Sequence, residues 1–530
     1  MPSFRVDPFE ITACLYTVDG TFYAPTTWQA QAGGFAGANL LNGDRGESLA
    51  APEATLEVQA AACGPELVRL QARGRHGNAV KGVKFALDLP YMPMLAPEEV
   101  ELAEVTWREW HFPRDWRTGF AVWKAGSRYF TVMTQDFPWH FKRLRALRNG
   151  DRMRLEIIQD ANVRERSYDF ATSAWEIGYR DSIDELLADY ARFVAQAYGA
   201  GDFARRPDVP AWGRGIGLVV NMHCTDWNGQ TNLDFAGMTT AVEQLAELFP
   251  PERTLLYPIG WDGRYMRDYP TFEPSPGLGG HEGFKTFCDR SRGLGFHIMP
   301  HLNAMVCNMR NRLYLPHLKD YVIRNWQGNP VHCLHIDWDH DGMGDAAHSY
   351  LSLVPRALRD VLVDVIGRLV RDFGIDAVFL DETCNVFYND PAWDQVDGVR
   401  RLVRDISRAF PDVLIVGEEW NETLLGLTPI VQIWEETADG RGGFGRSKSP
   451  LVRKWAGQFI RACGYLALAS PDGHTGVHEW PDKPWIDERW NEAYYIPTLS
   501  LTRDTIKLGM DGIRATVARA EAYVREYVRS

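Results

Sequence analysis

The chain has 530 residues and an ordinary globular composition, with 45% hydrophobic and 24% charged residues. Its net charge of −13 argues against a nucleic acid or a membrane surface as partner, because both need clustered Lys and Arg. No apolar run reaches the roughly 18 residues of a membrane span, and the first residues lack the pattern of a secretory signal. We therefore expect a cytoplasmic protein, although a secreted protein trimmed of its signal would look the same.

The length and the cysteines narrow the class further. At 530 residues, two or three domains are expected. The 8 cysteines occur singly and none belongs to a CxxC pair, which gives no support to a zinc ribbon or a dithiol redox site. Nothing in the sequence specifies an oligomeric state.

Residues 1–180 are rich in short alternating segments such as LVRLQARG and RMRLEIIQ, separated by Gly, Pro and Asn. This spacing predicts an N-terminal β-sandwich domain. An amphipathic helix is predicted at 181–199, with Asp181 or Ser182 as its N-cap. With the Pro- and Gly-rich stretch that follows, it forms a linker and boundary segment at 181–210.

From 211 to 530 the pattern changes to strands that alternate with helices, which predicts a parallel sheet. Eight candidate strands fit an α/β fold, a (β/α)8 TIM barrel with some insertions. An open doubly wound sheet is the alternative, but it would normally place a Gly-rich phosphate turn after the first strand, and NMHCTDWNG has none. The predicted strands are 215–221, 254–260, 296–302, 375–381, 412–418, 429–435, 463–470 and 493–499.

Polar and aromatic residues follow almost every predicted strand. In a TIM barrel the chemistry lies at these carboxyl ends of the strands, and Trp rings there can stack on the apolar faces of sugars. We therefore expect a carbohydrate substrate. The candidate binding residues are His223, Trp227, Trp261, Asp262, His301, Asn303, Glu419, Trp420, Glu436, Asp472, His474 and Arg503.

The sharpest signal is the pair of segments GIDAVFLDETCN and VLIVGEEWNE, in which an apolar strand leads directly into a carboxylate. Adjacent parallel strands lie about 4.8 Å apart, close to the roughly 5 to 5.5 Å that separates the two carboxylates of a retaining glycosidase. We predict Asp381 as the nucleophile and Glu418 as the acid/base, with no cofactor required. Glu419 competes with Glu418 for its role, and Glu382 more weakly with Asp381.

These motifs resemble those of a known enzyme group, the large assemblage of retaining α-glycosidases. GIDAVFLDET looks like the fourth-strand motif of the α-amylase family, and VGEEW looks like its Gly-Glu-x-Trp fifth-strand motif. In that motif the Glu directly after Gly is the acid/base, which favours Glu418. A β-sandwich before the barrel is more similar to endo-α-N-acetylgalactosaminidase-like families. The resemblance implies a glycoside hydrolase that cleaves an α-glycosidic bond with retention.

The sequence departs from the α-amylase pattern at several positions. Phe379 stands where that family has an Arg two residues before the nucleophile, and MPHLNA is only a loose match to the third-strand Asn-His motif. At the seventh strand, SPDGH offers Asp472 where a transition-state-stabilising Asp is expected.

A long connection, 303–346, lies between the third strand and the next predicted helix. Connections of this length in compact domains are usually functional. Asp337, Asp339, Asp341 and Gly342 match the opening of a calcium loop, but the twelfth position is His348 instead of Glu. The segment can be a solvated acidic loop, a substrate-binding lid or a structural Ca²⁺ site.

Two other classes of protein remain open. A metal-assisted isomerase or lyase acting on a sugar would use the same Asp, Glu and His groups, and would need at least three convergent ligands. A non-catalytic carbohydrate-binding barrel would need none of the carboxylates for turnover. The sequence leaves the sugar, the linkage, exo or endo action, and hydrolysis or transglycosylation undetermined.

Overall fold

The computed structural model divides the chain into two compact units. The first contains Met1–Gly199 together with Asn421–Thr423 and Ser447–Trp455, and the second contains the remainder. The residues that the structure describes are 3–6, 8–17, 22–25, 30–31, 34–35, 38–43, 55–76, 79–165, 168–225, 231–263, 268–336, 346–434, 449–465, 492–501 and 510–528.

The first unit is built from antiparallel strands. They are β1 (Ser3–Val6), β2 (Phe9–Thr17), β3 (Phe22–Pro25), β4 (Ala30–Gln31), β5 (Gly34–Phe35), β6 (Ala38–Gly43), β7 (Thr55–Gly64), β8 (Leu67–Arg75), β9 (Val80–Pro90), β10 (Met94–Ala96), β11 (Val105–Phe112), β12 (Phe120–Ala125), β13 (Arg128–Thr134), β14 (Phe141–Asn149), β15 (Arg152–Asp160), β16 (Asp169–Ala171) and β17 (Trp175–Arg180).

Two sets of these strands are joined through β6. One set runs β11-β14-β15-β9-β2-β3 and the other β7-β8-β17-β13-β12-β10. Along β8 buried and exposed residues alternate, as in a sheet with one covered face. Phe9 of the first set contacts Phe130 and Tyr179 of the second, with ring centroids 5.9 Å apart in both pairs. The predicted N-terminal β-sandwich is confirmed.

The helix that follows the sandwich, α1 (Asp184–Tyr198), begins later than predicted. Neither Asp181 nor Ser182 is its N-cap, because the cap position is Ile183, which has no side-chain oxygen to accept a hydrogen bond. Ser182 instead accepts a hydrogen bond from the backbone N–H of Asp184, at 3.2 Å. The helix ends at Gly199, whose φ of 72° is the left-handed conformation that glycine adopts most readily.

The second unit is a (β/α)8 barrel, as predicted. Its strands are apolar and almost wholly buried, as expected for parallel strands covered on both faces. In chain order they are β18 (Leu218–His223), β19 (Thr254–Ile259), β20 (His297–Ile298), β21 (His301–Asn303), β25 (Ala377–Asp381), β26 (Leu414–Glu418), β27 (Ile430–Trp434), β28 (Arg461–Tyr465), β29 (Tyr495–Ile496) and β30 (Thr498–Leu501).

The barrel closes through its third and eighth strands, each of which is interrupted. The third is β20 followed by β21, and the eighth is β29 followed by β30. All neighbouring strands pair in parallel, and β30 pairs with β18 while β29 pairs with β28. Each predicted strand overlaps an observed one, but the first extends to His223, so that this residue lies within the strand and not after it.

Along the chain, helices precede, connect and follow the barrel strands. Several have clear sequence boundaries: Asp394 caps the N-terminus of one through the backbone N–H groups of Val396 and Asp397, and Gly374 ends another in the left-handed conformation. The helices are α2 (Ala211–Arg214), α3 (Phe235–Ala246), α4 (Gly280–Leu294), α5 (Arg356–Phe373), α6 (Gln395–Ala409), α7 (Pro450–Ala456), nearly all of which belongs to the first unit, and α8 (Met510–Tyr527). Among the described helices, none combines the length and apolar composition that crossing a bilayer requires.

The long connection after the third strand contains its own secondary structure. A small antiparallel sheet is formed by β22 (Val306–Asn308), β23 (His332–Ile336) and β24 (Ala346–Tyr350), in the order β22-β24-β23. The helix predicted to begin near Ala346 therefore begins ten residues later, at Arg356 directly after Pro355. Asp337, Asp339 and Asp341, the proposed calcium ligands, lie outside the described residues.

Candidate active site

Asp381 and Glu418 are the last residues of two adjacent parallel strands, β25 and β26. The strand register pairs Leu380 with Gly417. Asp381 and Glu418 are the next residues of the two strands, so they lie at the same height along the barrel. On the neighbouring strand β21, Asn303 is the register partner of Asp381. On the other side, on β27, Gln432 is the register partner of Glu418. Paired residues of a parallel ladder share one face of the sheet, so these side chains form a single row.

That row faces the inside of the barrel. Phe379, two residues before Asp381, contacts the ring of Tyr257 with centroids 4.9 Å apart. Tyr257 lies on β19, and the third strand separates β19 from β25, so the contact crosses the barrel interior. Because side chains two apart on a strand point to the same side, Asp381 also points inward.

Asp381 is held by groups from the third strand. The Asn303 Nδ2 group donates to its Oδ2 at 2.9 Å, and His301 Nε2 lies 3.6 Å from the same oxygen. The Tyr257 hydroxyl is 2.8 Å from His301 Nδ1, and the indole N–H of Trp261 donates to the His301 carbonyl at 2.9 Å. Asp381 is 6% exposed, so its carboxylate is fixed in a largely enclosed site.

Glu418 is held from the turn that follows Asp381. Its Oε2 accepts a hydrogen bond from the backbone N–H of Glu382 at 2.8 Å, and the Cys384 thiol lies 3.4 Å from the same oxygen. The Glu418 backbone N–H donates to Thr383 Oγ at 2.9 Å. Glu382 is the next residue in the chain after Asp381, so this hydrogen bond joins Glu418 to the immediate neighbour of Asp381. The two carboxylates therefore belong to one compact site.

Both residues that follow the two carboxylates have left-handed backbones. Glu382 has a φ of 64° and Glu419 a φ of 52°, a conformation that is uncommon for residues other than glycine. At Glu382 this turn directs the backbone N–H toward Glu418, and at Glu419 the N–H donates to the Gln432 carbonyl at 2.7 Å. Such strained residues cluster at functional sites, where the surrounding structure holds them in place.

The carboxyl group of Glu382 lies in surroundings that disfavour its charged form. Burial, with a further contribution from the charge of Asp381, raises the pKa of Glu382 from 4.5 to about 8. Its carboxyl also interacts with the Tyr350 hydroxyl, 3.3 Å away, and with the side-chain amide of Asn385. A group that keeps its proton at neutral pH is a poor nucleophile, which favours Asp381 over Glu382 for that role.

The raised pKa of Glu382 predicts how stability depends on pH. Between the ordinary value of 4.5 and about 8, the folded protein holds a proton that the unfolded chain has released. Stability should therefore fall as the pH rises through this window. We expect Glu382→Gln to flatten the dependence of Tm on pH between about pH 4.5 and 8, in thermal scans of both proteins across a pH series. An unchanged slope would contradict the assignment.

Gly417, directly before Glu418, occupies a position with no room for a side chain. A Cβ there would lie 2.8 Å from Thr428 Cγ2 and 3.0 Å from Thr383 Oγ. We expect Gly417→Ala to destabilise the protein by about 1–3 kcal/mol, as overpacking does, and to lower activity because Thr383 holds the Glu418 backbone. Gly293→Ala, which meets no atom within 4 Å in α4, is the matched control and should cost neither stability nor activity. Chemical denaturation and initial rates measure both; equal behaviour of the two variants would refute this role.

The remaining predicted binding residues differ in their surroundings. His223 lies at the end of β18 and is 2% exposed. Asp262 follows β19, and burial raises the pKa of its carboxyl group to about 8. Trp261 and Trp420 are enclosed: the Trp261 ring stacks on Phe284, and the Trp420 indole donates to the Tyr494 hydroxyl at 2.6 Å. Trp261 is thus placed to support His301 and not to present a free face to a sugar. The predicted residues outside the described part are Trp227, Glu436, Asp472, His474 and Arg503.

Several groups at the site were not predicted from the sequence. They contact Asp381, Glu418 or the residues beside them, and are Tyr257, Tyr350, Thr383, Cys384, Asn385 and Gln432. Tyr257 and Gln432 could have been found, because each is a polar residue inside an otherwise apolar strand. Within the ranges the structure describes, no three His, Cys, Asp or Glu side chains are grouped closely enough to hold a metal ion.

Comparison with known proteins supplies structural matches and no sequence matches. No protein-family model matches the chain, and no curated protein matches it. The α-N-acetylgalactosaminidase NagBb from Bifidobacterium bifidum, in complex with GalNAc, superposes with a TM-score of 0.65 at 13% identity, covering 99% of this chain and 90% of that chain. The α-galactosidase TtGalA from Thermus thermophilus, in complex with stachyose, gives a TM-score of 0.52 at 15% identity, covering 88% and 97%. The chain has the fold of these α-glycosidases.

A third structure extends this comparison. The α-galactosidase from Lactobacillus brevis gives a TM-score of 0.50 at 12% identity, covering 99% of this chain and 74% of that chain. The coverage includes both units of this chain, so the likeness extends to the N-terminal strands as well as the barrel. At these identities the comparisons establish the fold.

Proposed function

We propose that the protein is a retaining glycosidase that cleaves an α-glycosidic bond, with Asp381 as the nucleophile and Glu418 as the acid/base. One observation carries the proposal. Two buried, inward-facing carboxylates end adjacent barrel strands in register, and Glu418 is hydrogen-bonded to the residue that follows Asp381. Adjacent parallel strands lie about 4.8 Å apart, which favours the short carboxylate separation of double displacement, where the nucleophile and the acid/base act on the same sugar without a water between them.

In the first half of the proposed reaction, Asp381 Oδ attacks the anomeric carbon and forms a glycosyl ester, while the glycosidic bond breaks. Glu418 donates its proton to the departing oxygen. We assign that proton to Oε1, because Oε2 accepts a hydrogen bond from the Glu382 backbone N–H and lies beside the Cys384 thiol. Asn303 would stabilise the ionised Asp381 and fix the oxygen that does not attack.

In the second half, Glu418 takes a proton from a water molecule, whose oxygen attacks the anomeric carbon and releases Asp381. Two inversions give net retention. A sugar hydroxyl in place of water would give transfer instead of hydrolysis by the same steps.

For the substrate we propose an α-linked galactose or N-acetylgalactosamine residue. The support is the structural likeness to an α-N-acetylgalactosaminidase in complex with GalNAc and to α-galactosidases. His301, 3.6 Å from Asp381, and the Tyr350 hydroxyl, 3.3 Å from the neighbouring Glu382, are donors and acceptors suited to sugar hydroxyls.

A panel of 4-nitrophenyl α- and β-glycosides tests this proposal, with galacto, N-acetylgalacto, gluco and manno sugars in both series. We expect turnover confined to α-glycosides and best with the galacto-configured pair, and an initial product that is the α-anomer by NMR. Initial release of the β-anomer would exclude retention. Loss of activity on chelation, restored by a divalent cation, would favour the metal-assisted alternative.

A further inference from the structure

Gln432 lies beside Glu418 in the inward-facing row at the carboxyl end of the barrel. The two are paired across β26 and β27, and Asp381 lies on the other side of Glu418, one position beyond the Leu380–Gly417 pair. Gln432 is 2% exposed. Its backbone carbonyl accepts the Glu419 N–H at 2.7 Å, which fixes this part of the strand and leaves the side chain facing into the barrel.

The side-chain amide of Gln432 has an unused donor. Its Nε2 is buried and has no hydrogen-bond partner within the described part of the chain. The next residue in the row is Cys463, whose thiol is a weak acceptor and is kept neutral by burial, which raises its pKa to about 12. A buried amide without a partner is unfavourable, and such groups in native proteins call for a functional explanation.

We propose that the Gln432 amide donates a hydrogen bond to a hydroxyl oxygen of the leaving group, and thereby selects substrates whose aglycone is itself a sugar. The inference rests on the proposed function. It follows from the order of the row, Asn303, Asp381, Glu418 and Gln432. Asp381 acts under the anomeric carbon and Glu418 beside the glycosidic oxygen, so the residue beyond Glu418 lies on the leaving-group side.

The test compares three substrates of the same α-linked sugar: a disaccharide, a phenyl glycoside and a 4-nitrophenyl glycoside. Only the disaccharide has hydroxyl groups next to the glycosidic oxygen. We expect Gln432→Met to lower kcat/KM for the disaccharide about five- to tenfold, the loss of one neutral hydrogen bond, and to leave both aryl glycosides within about twofold. Met fills a similar volume without a donor, so Tm should stay the same or rise.

Ile433→Val is the matched control, since it alters the neighbouring side chain on the opposite face of the same strand. It should not change the ratio of disaccharide to aryl rates. Equal losses on all three substrates would overturn the inference, as would a fall in Tm that accounts for the loss.

A loss larger for the phenyl than for the nitrophenyl glycoside would also overturn it, because Gln432 would then act through the proton donor Glu418. If the wild-type protein cleaves none of these glycosides, the proposed function fails and the inference with it. Turnover by the wild type with no substrate-dependent effect of Gln432→Met refutes the inference alone.

Discussion

Asp381→Asn is expected to lower kcat/KM for the best aryl α-glycoside by at least about a thousandfold, with little change in stability. The substituted amide is a poor nucleophile, so no glycosyl ester can form at the fourth strand. Asn at this position still fits beside Asn303 and His301, and therefore substrate binding should survive. Steady-state kinetics, with isothermal titration of a non-hydrolysed sugar, measure the two effects separately.

Asp376→Asn is the matched control for this variant. Asp376 directly precedes β25 at the opposite end of the barrel, where it accepts a hydrogen bond from the Ile298 N–H at 3.2 Å. Residues at that end contribute to stability and not to catalysis in barrels of this kind. Comparable losses in both variants would mean that the carboxylate of Asp381 has no special role.

Glu418→Gln is expected to reduce kcat by about 10²–10⁴-fold on a phenyl glycoside, which needs a proton on its leaving oxygen. The first step should be far less affected with a 2,4-dinitrophenyl leaving group, which departs without protonation. The alkaline limb of the pH–rate profile should disappear along with the proton donor. Pre-steady-state measurements on the activated substrate should then reveal accumulation of the glycosyl-enzyme.

Glu419→Gln separates the two adjacent glutamates. Glu419 is 3% exposed and has a left-handed backbone, and its N–H is engaged with the Gln432 carbonyl. We expect this variant to keep the weak dependence of rate on leaving group that the wild type has and that Glu418→Gln makes steep. If Glu419→Gln instead makes that dependence steep, the proton donor is Glu419 and the assignment of Glu418 is wrong.

The barrel could be predicted because its strands are apolar runs that end in polar residues. GIDAVFLDET and VLIVGEEW mark the ends of β25 and β26 to the residue, since in both a carboxylate stops an uninterrupted apolar segment. Other boundaries were less certain for a physical reason. β18 continues through Met222 to His223, and a buried polar residue inside a strand resembles a loop residue in the sequence.

The long connection was harder to predict. Its strand Ala346–Tyr350, with the sequence AAHSY, has neither a run of branched residues nor a strict alternation, and its pairing with β22 and β23 is non-local. The left-handed turns at Glu382 and Glu419 also have no signal in the sequence, because glycine or Asn would be the expected residue at such a turn. Tertiary contacts, and not local preference, hold them.

Within the site, the sequence identified residues at strand ends and missed residues that support them. Tyr257 and Gln432 interrupt apolar strands at inward-facing positions, a pattern that could have been read as site-lining. Cys384 and Thr383 follow Asp381 closely, but only the turn brings them to Glu418. That contact depends on the parallel register of β25 and β26, which spacing along the chain does not reveal.

The central claim is that Asp381 becomes covalently bonded to the sugar, and trapping of that ester tests it most directly. A fluorinated α-glycosyl fluoride of the preferred sugar, which forms the ester faster than water releases it, would label the protein. Tandem mass spectrometry of the peptide containing GIDAVFLDET can assign the label to a single residue. We predict one sugar per chain, on Asp381; a label on Glu382, on another peptide, or nowhere in a protein that still turns over α-glycosides would contradict the account.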